Sequence, residues 1–148
     1  MRQSQKYDRN QAVSYARKWA LGRNPAFGNF SGLGGDCANF ASQCLWAGWN
    51  ETMVPDWYYY SMNDRTPSWS GVKFLRRWLL EAERAELCEI SEAEAGDIIV
   101  LWNGHRYYHT LVVVEPGDDP LIAAHTHDVL DRPVSDYRPV AREGLHIL

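Results

Sequence analysis

An α+β fold, with N-terminal helices packed on a C-terminal antiparallel β-sheet, follows from three observations on the 148-residue sequence. The first half of the chain repeats apolar residues at three- and four-residue spacing, the period of a helix with one buried face. The second half changes to short runs of β-branched and aliphatic residues. Between two of those runs stands Pro116-Gly117-Asp118-Asp119-Pro120, which is turn chemistry. Helices followed by strands, without alternation, read as α+β.

The first helix is predicted over 9–21, where Ala12, Val13, Tyr15, Ala16, Trp19 and Ala20 form the apolar stripe, Asp8 caps and Gly22 stops. A Gly-, Asn- and Ser-rich loop over 23–35 leads to a second helix over 37–47, with Phe40, Ala41, Cys44, Leu45 and Ala47 inward and Gly48 at its end. The stretch 50–70 is an aromatic loop carrying Trp57-Tyr58-Tyr59-Tyr60 and Trp69. A third helix is expected over 71–84, capped by Ser70, with Val72, Phe74, Leu75, Trp78 and Leu79 inward. Strands are expected over 97–102, 107–115 and 121–127, the last two joined as a hairpin, with a short final strand over 144–148.

The length fits one domain, residues 1–148, large enough to bury a core without a metal or disulfide staple. A net charge of −4 and the lack of a basic block argue against a nucleic-acid partner. No run of 18 apolar residues occurs, so no membrane span is expected. Met1-Arg2-Gln3-Ser4-Gln5-Lys6 lacks the apolar stretch of a signal peptide, so the sequence as written reads as cytoplasmic, or as exported if it is a domain of a longer chain. Seven Trp and eight Tyr invite two readings, core packing or a groove for an extended ligand. Three cysteines leave at least one thiol unpaired, and there is no C-x-x-C pair to suggest structural zinc.

Cys37 stands out among the three because Gly34-Gly35-Asp36 leads into it at a helix start. The helix dipole contributes about 0.3–1 kcal/mol toward thiolate, so a strongly acidic thiol needs a cationic partner, most simply an imidazolium. Asp36 opposes the thiolate unless its carboxylate turns onto the helix amides as an N-cap. Cys44 and Cys88 read as buried or inert thiols. Of five histidines, His109 lies in the apolar run Tyr107–Val114 and His125 in the next one, so a hairpin brings them side by side. Strand alternation would put His125 and His127 on one face. A zinc site on His125, His127 and His109 or His105 is the competing reading, without a clear carboxylate or thiolate to complete it. No cofactor or metal is expected.

These residues resemble a known family. Tyr7-Asp8-Arg9-Asn10-Gln11-Ala12-Val13, Gly34-Gly35-Asp36-Cys37-Ala38-Asn39-Phe40-Ala41-Ser42-Gln43, Trp57-Tyr58-Tyr59-Tyr60, Ser68-Trp69, Gly96-Asp97-Ile98-Ile99, Tyr108-His109-Thr110-Leu111-Val112-Val113 and Ala124-His125-Thr126-His127-Asp128 occur in the order of the putative amidase domain family, a branch of the papain-like cysteine hydrolase clan related to NlpC-type cell-wall peptidases. The resemblance implies a papain-like (NlpC-type) core with Cys37 as nucleophile, His109 as base and His125 as the third polar residue, His127 and Asp128 being close alternatives. It implies hydrolysis of an amide in a peptide or peptidoglycan stem through a thioester, with a peptide or cell-wall fragment as the binding partner. The aromatic loop from Trp57 to Trp69 would line its groove. A non-catalytic binding module on the same fold, or a thiol acyltransferase, are the alternatives.

Overall fold

The computed structural model describes residues 6–148, so the first five residues of the stretch read for a leader lie outside the described residues. In chain order come α1 (Arg9–Trp19), α2 (Cys37–Gly48), a ribbon of β1 (Tyr59–Ser61) and β2 (Asp64–Arg65), the short α3 (Pro67–Ser70) and α4 (Val72–Glu81). Then follow β3 (Ala85–Cys88), β4 (Ile98–Trp102), β5 (Tyr107–Glu115), β6 (Leu121–Ala124), β7 (Val129–Pro133) and β8 (Ala141–Ile147). The large sheet has six strands in the order β3-β8-β4-β5-β6-β7, and its pairings are antiparallel. The α+β architecture expected from the sequence is therefore present, including the β5–β6 hairpin.

Asp8 caps α1 by accepting from the amide of Gln11 at 3.1 Å. The small side chains of Ala12 and Ala16 let α1 lie close against α2. α2 is the central helix and is buried on nearly every side, and most of its residues are apolar or small. Its polar side chains Asn39, Ser42 and Gln43 each have a hydrogen-bond partner. Ser42 donates to the carbonyl of Trp69 at 2.7 Å, and Gln43 accepts from Tyr15 at 2.5 Å. Gly48, expected as a stop, still belongs to the helix; a Cβ there would fall 2.3 Å from the Tyr7 ring, so the glycine serves close packing.

The central strands are covered on both faces, which explains their unbroken apolar runs. Ile98, Val100, Val112 and Val114 face the helices, whereas Ile99, Leu101, Leu111 and Val113 join Ile122 and Val134 in a second core behind the sheet. Each such side chain contributes roughly 1.5–3 kcal/mol by leaving water.

Several expectations are corrected. The strand over 121–127 stops at Ala124, and the chain turns from His125 to Asp128 before β7. The final strand starts at Ala141 rather than 144. α4 begins one residue late with Gly71, not Ser70, at its cap, and Phe74 is 38% exposed instead of inward. The tryptophans of the aromatic loop are core: Trp57 and Trp69 are fully buried, with Trp57 stacked 4.9 Å from Trp78 and 4.6 Å from Trp69. The edge strands β3 and β7 had no apolar run to reveal them, since Glu86, Asp131 and Arg132 interrupt both. Among the described residues no helix is long and apolar enough to cross a membrane.

Candidate active site

Cys37 is the first residue of α2, and the chain reaches it through a constrained lead-in. Gly34 and Gly35 have φ of 99° and 113°, left-handed values that glycine adopts without steric penalty. A Cβ on Gly35 would also come within 3.3 Å of the Thr126 hydroxyl. Thr126 has φ of 95°, a genuine outlier for a β-branched residue. Backbone outliers of this kind gather at functional sites. This one sits in the turn after β6 and brings the Thr126 hydroxyl 3.3 Å from the Asp36 amide, where it also meets the Cys37 sulfur.

Cys37 is 6% exposed, and burial pushes its thiol pKa up. The Thr110 hydroxyl, the backbone N–H groups of Thr110 and Ala38, and the Thr126 hydroxyl favour the thiolate and offset that burial in part. The Thr110 hydroxyl is buried and reaches full hydrogen-bond geometry with no group, so its contact with sulfur is a weak one. Desolvation outweighs the donors, so the Cys37 thiol is raised rather than acidified.

Asp36 does not cap α2 with its side chain, contrary to expectation. Its Oδ1 accepts from the amide of Phe30 at 2.8 Å and from Asn39 Nδ2 at 2.9 Å. Its Oδ2 lies 2.6 Å from Nδ1 of His125 and 3.2 Å from Nε of Arg23. Burial raises the carboxyl pKa, but the bonds from His125, Asn39 and Phe30 together win and hold it below the usual value. Asp36 is therefore an anion whose charge is compensated away from the sulfur.

The expectation that His125 orients the His109 ring is corrected by the same contacts. His125 is buried, stacks on Phe40 at 4.0 Å, and has both ring nitrogens occupied, Nδ1 by Asp36 and Nε2 by the carbonyl of Trp19 at 2.9 Å. Arg23 also comes within 3.4 Å of Nε2. Asp128 pairs with Arg23 at 2.7 Å. His125, Asp36, Arg23 and Asp128 thus tie the turn after β6 to the mouth of α2.

His109 owes its direction to an irregularity in β5. Leu101 pairs with His109 and Trp102 with Tyr107, so Tyr108 is an extra residue on β5. A bulge of this type re-aims a side chain, and here it sets the Tyr108 and His109 rings side by side, 6.3 Å apart and 23° from parallel. The Tyr137 ring lies 5.5 Å from His109. Burial, with a smaller contribution from neighbouring His127, lowers the His109 pKa to about 4, so the imidazole is neutral at ordinary pH.

Cys37 and His109 open onto one cavity of about 330 Å³, walled by Gly34, Gly35, Val72, Tyr108, Thr126, His127 and Tyr137. Of the residues proposed from sequence for the third role, His127 lines this cavity, while His125 and Asp128 are engaged elsewhere. Of the remaining histidines, His146 lies 3.0 Å from Asp97 and His105 is exposed in the β4–β5 turn. Among the described residues no group of three or more His, Cys, Asp or Glu is arranged to hold a metal ion. Cys44 is fully buried, and burial raises its thiol well above the usual value; Cys88 is pushed up to about 11. Thr110, Thr126, Tyr137 and Arg23 escaped the sequence reading. For the two threonines a signal existed, since each adjoins a histidine that the reading singled out.

A thiol at a helix mouth and a neutral imidazole on one cavity are the parts of a nucleophilic acyl-transfer site. The chain belongs to the putative amidase domain family, whose sequence profile matches residues 6–147. It is similar to the uncharacterized protein YhbB of Bacillus subtilis (strain 168), with 35% identity over 137 residues, 82% of this chain and 42% of that protein. The chain thus spans less than half the length of this relative. No solved structure matches the chain.

Proposed function

We propose that the chain is a cysteine amidase or peptidase with a papain-like core, using Cys37 as nucleophile and His109 as base. The observation that carries this reading is the shared cavity of Cys37 and His109. Family membership supports hydrolysis of an amide. With a raised thiol and a neutral imidazole at rest, the proton leaves sulfur as the S–C bond forms rather than beforehand. His109 takes that proton and passes it to the departing amine, leaving a thioester. Water then attacks the thioester carbonyl, His109 accepts its proton and returns it to the departing sulfur, and the acid and the Cys37 thiol are released. The Cys37 amide and the donors around the sulfur are candidates to hold the oxyanion. A peptide amide, or the stem peptide of a cell-wall fragment, is the substrate class proposed.

The test is to incubate the protein with peptide and cell-wall fragment mixtures and read released amines together with the intact protein mass. Wild type should release amine and show an acyl adduct on Cys37, and Cys37→Ala should do neither. Hydrolysis retained by Cys37→Ala would refute the mechanism. An added amine that appears in the product would identify a transferase. The neutral resting state of both groups favours one second reading, a peptide-binding module without turnover. It would appear as fragment binding with neither adduct nor released amine.

A further inference from the structure

Beside the candidate active site lies a second cavity, of about 430 Å³, with a different chemistry. Lys73, Arg76 and Arg77 from α4 and Arg106 from the β4–β5 turn surround it, and Trp102 and Tyr107 form its aromatic wall. Glu81 is the carboxylate that lines it. The chain as a whole carries a net charge of −4, so this concentration of positive charge runs against the average. Part of the site is pre-set. Arg76 is held by Glu143 at 2.7 Å and lies 4.4 Å above the Tyr107 ring, while Lys73 and Arg77 flank the half-exposed Phe74 ring at 5.1 and 5.8 Å. Lys73, Arg77 and Arg106 are exposed.

The two cavities share their supporting elements. Val72 at the start of α4 lines the Cys37 cavity, and the next turns of α4 line the basic one. On β5, Tyr107 belongs to the basic cavity and the adjoining Tyr108 and His109 to the other. A ligand lying along the start of α4 and β5 would touch both.

We propose that the basic cavity binds the acidic arm of the substrate, a peptide segment bearing carboxylates, and holds it while its amide lies at Cys37. The inference rests on the amidase reading for the second half of that statement. Arginine forks suit carboxylates, and the Trp102 and Tyr107 rings suit the methylene stems between them. Contiguity with the Cys37 cavity favours an extended peptide over a free inorganic anion.

The probe is acetyl-tetraglutamate, titrated by tryptophan fluorescence into the full chain carrying Cys37→Ala, with inorganic phosphate and acetyl-tetralysine in parallel. Tetraglutamate should bind. Its affinity should drop roughly tenfold in the folded triple variant Lys73→Gln/Arg77→Gln/Arg106→Gln, fall steeply with salt, and rise in Glu81→Gln. No tetraglutamate binding, equal binding by the triple variant, or phosphate binding as tight as tetraglutamate would overturn the inference. Electrophile labelling of Cys37 in the otherwise wild-type chain separates the two readings. If labelling fails while charge-dependent tetraglutamate binding persists, the amidase reading falls and the acidic-ligand site stands. Intact labelling without that binding has the reverse meaning.

Discussion

His109 and His125 lie on neighbouring parts of one hairpin and have opposite surroundings. His125 is stacked on Phe40, with Asp36 and the Trp19 carbonyl on its two nitrogens. His109 faces a cavity beside Tyr108, Tyr137 and His127, and burial lowers its pKa to about 4. The first ring is fixed by stacking and hydrogen bonds and holds the helix mouth together. The second is left available to a ligand. Burial alone would not separate them; what each nitrogen touches does.

The largest expected effect is on stability. His125→Ala leaves the buried Asp36 carboxylate without its shortest partner and should cost about 3–5 kcal/mol in chemical denaturation. His109→Ala should change stability far less and abolish amide hydrolysis. Equal stability losses for the two variants would erase the contrast.

The next effect is in pH. A histidine whose folded pKa is about 4, against an ordinary 6.5, binds its proton first in the unfolded chain. Stability should therefore fall as pH drops from about 6.5 to 4, by about 3 kcal/mol from this group, and level off below. His109→Asn should remove that slope in denaturation curves across the range. Asp36 acts in a lower window: its depressed pKa gives stability that is present above the ordinary aspartate value and is lost as pH falls through the folded value.

A smaller effect concerns the sulfur. The Thr110 hydroxyl has no good polar partner to lose, so Thr110→Val should alter stability by less than about 1 kcal/mol. It should nonetheless slow Cys37 alkylation severalfold, since a donor that favours the thiolate is gone. Unchanged alkylation would show that Thr110 does not act on the thiol.

Much of this arrangement was legible in the residues, and the limits have physical causes. Periodicity located α1, α2, β4 and β5 because their apolar faces are long. It missed β3 and β7, which lie at the sheet edges and carry charges. Gly34-Gly35-Asp36 marked the helix mouth at Cys37 correctly, but the Asp36 carboxylate turned to Phe30, Asn39, His125 and Arg23, partners that only the tertiary fold brings near. Strand alternation failed at His125 because β6 ends one residue earlier, and the bend at Thr126 sends His125 inward and His127 to the cavity. The Tyr108 bulge, which sets the His109 direction, has no marker such as glycine in the sequence.

The most direct test of the central claim is the rate at which a peptide-like electrophile acylates Cys37 between pH 3 and 9, in wild type and in His109→Asn. Acylation by wild type should rise through an acid limb near pH 4, where His109 loses its proton, and then stay high through neutrality, with His109→Asn slower by at least about a hundredfold. Equal rates in the two proteins, or a wild-type rate that climbs only with thiol ionisation at alkaline pH, would contradict the pairing of Cys37 with His109.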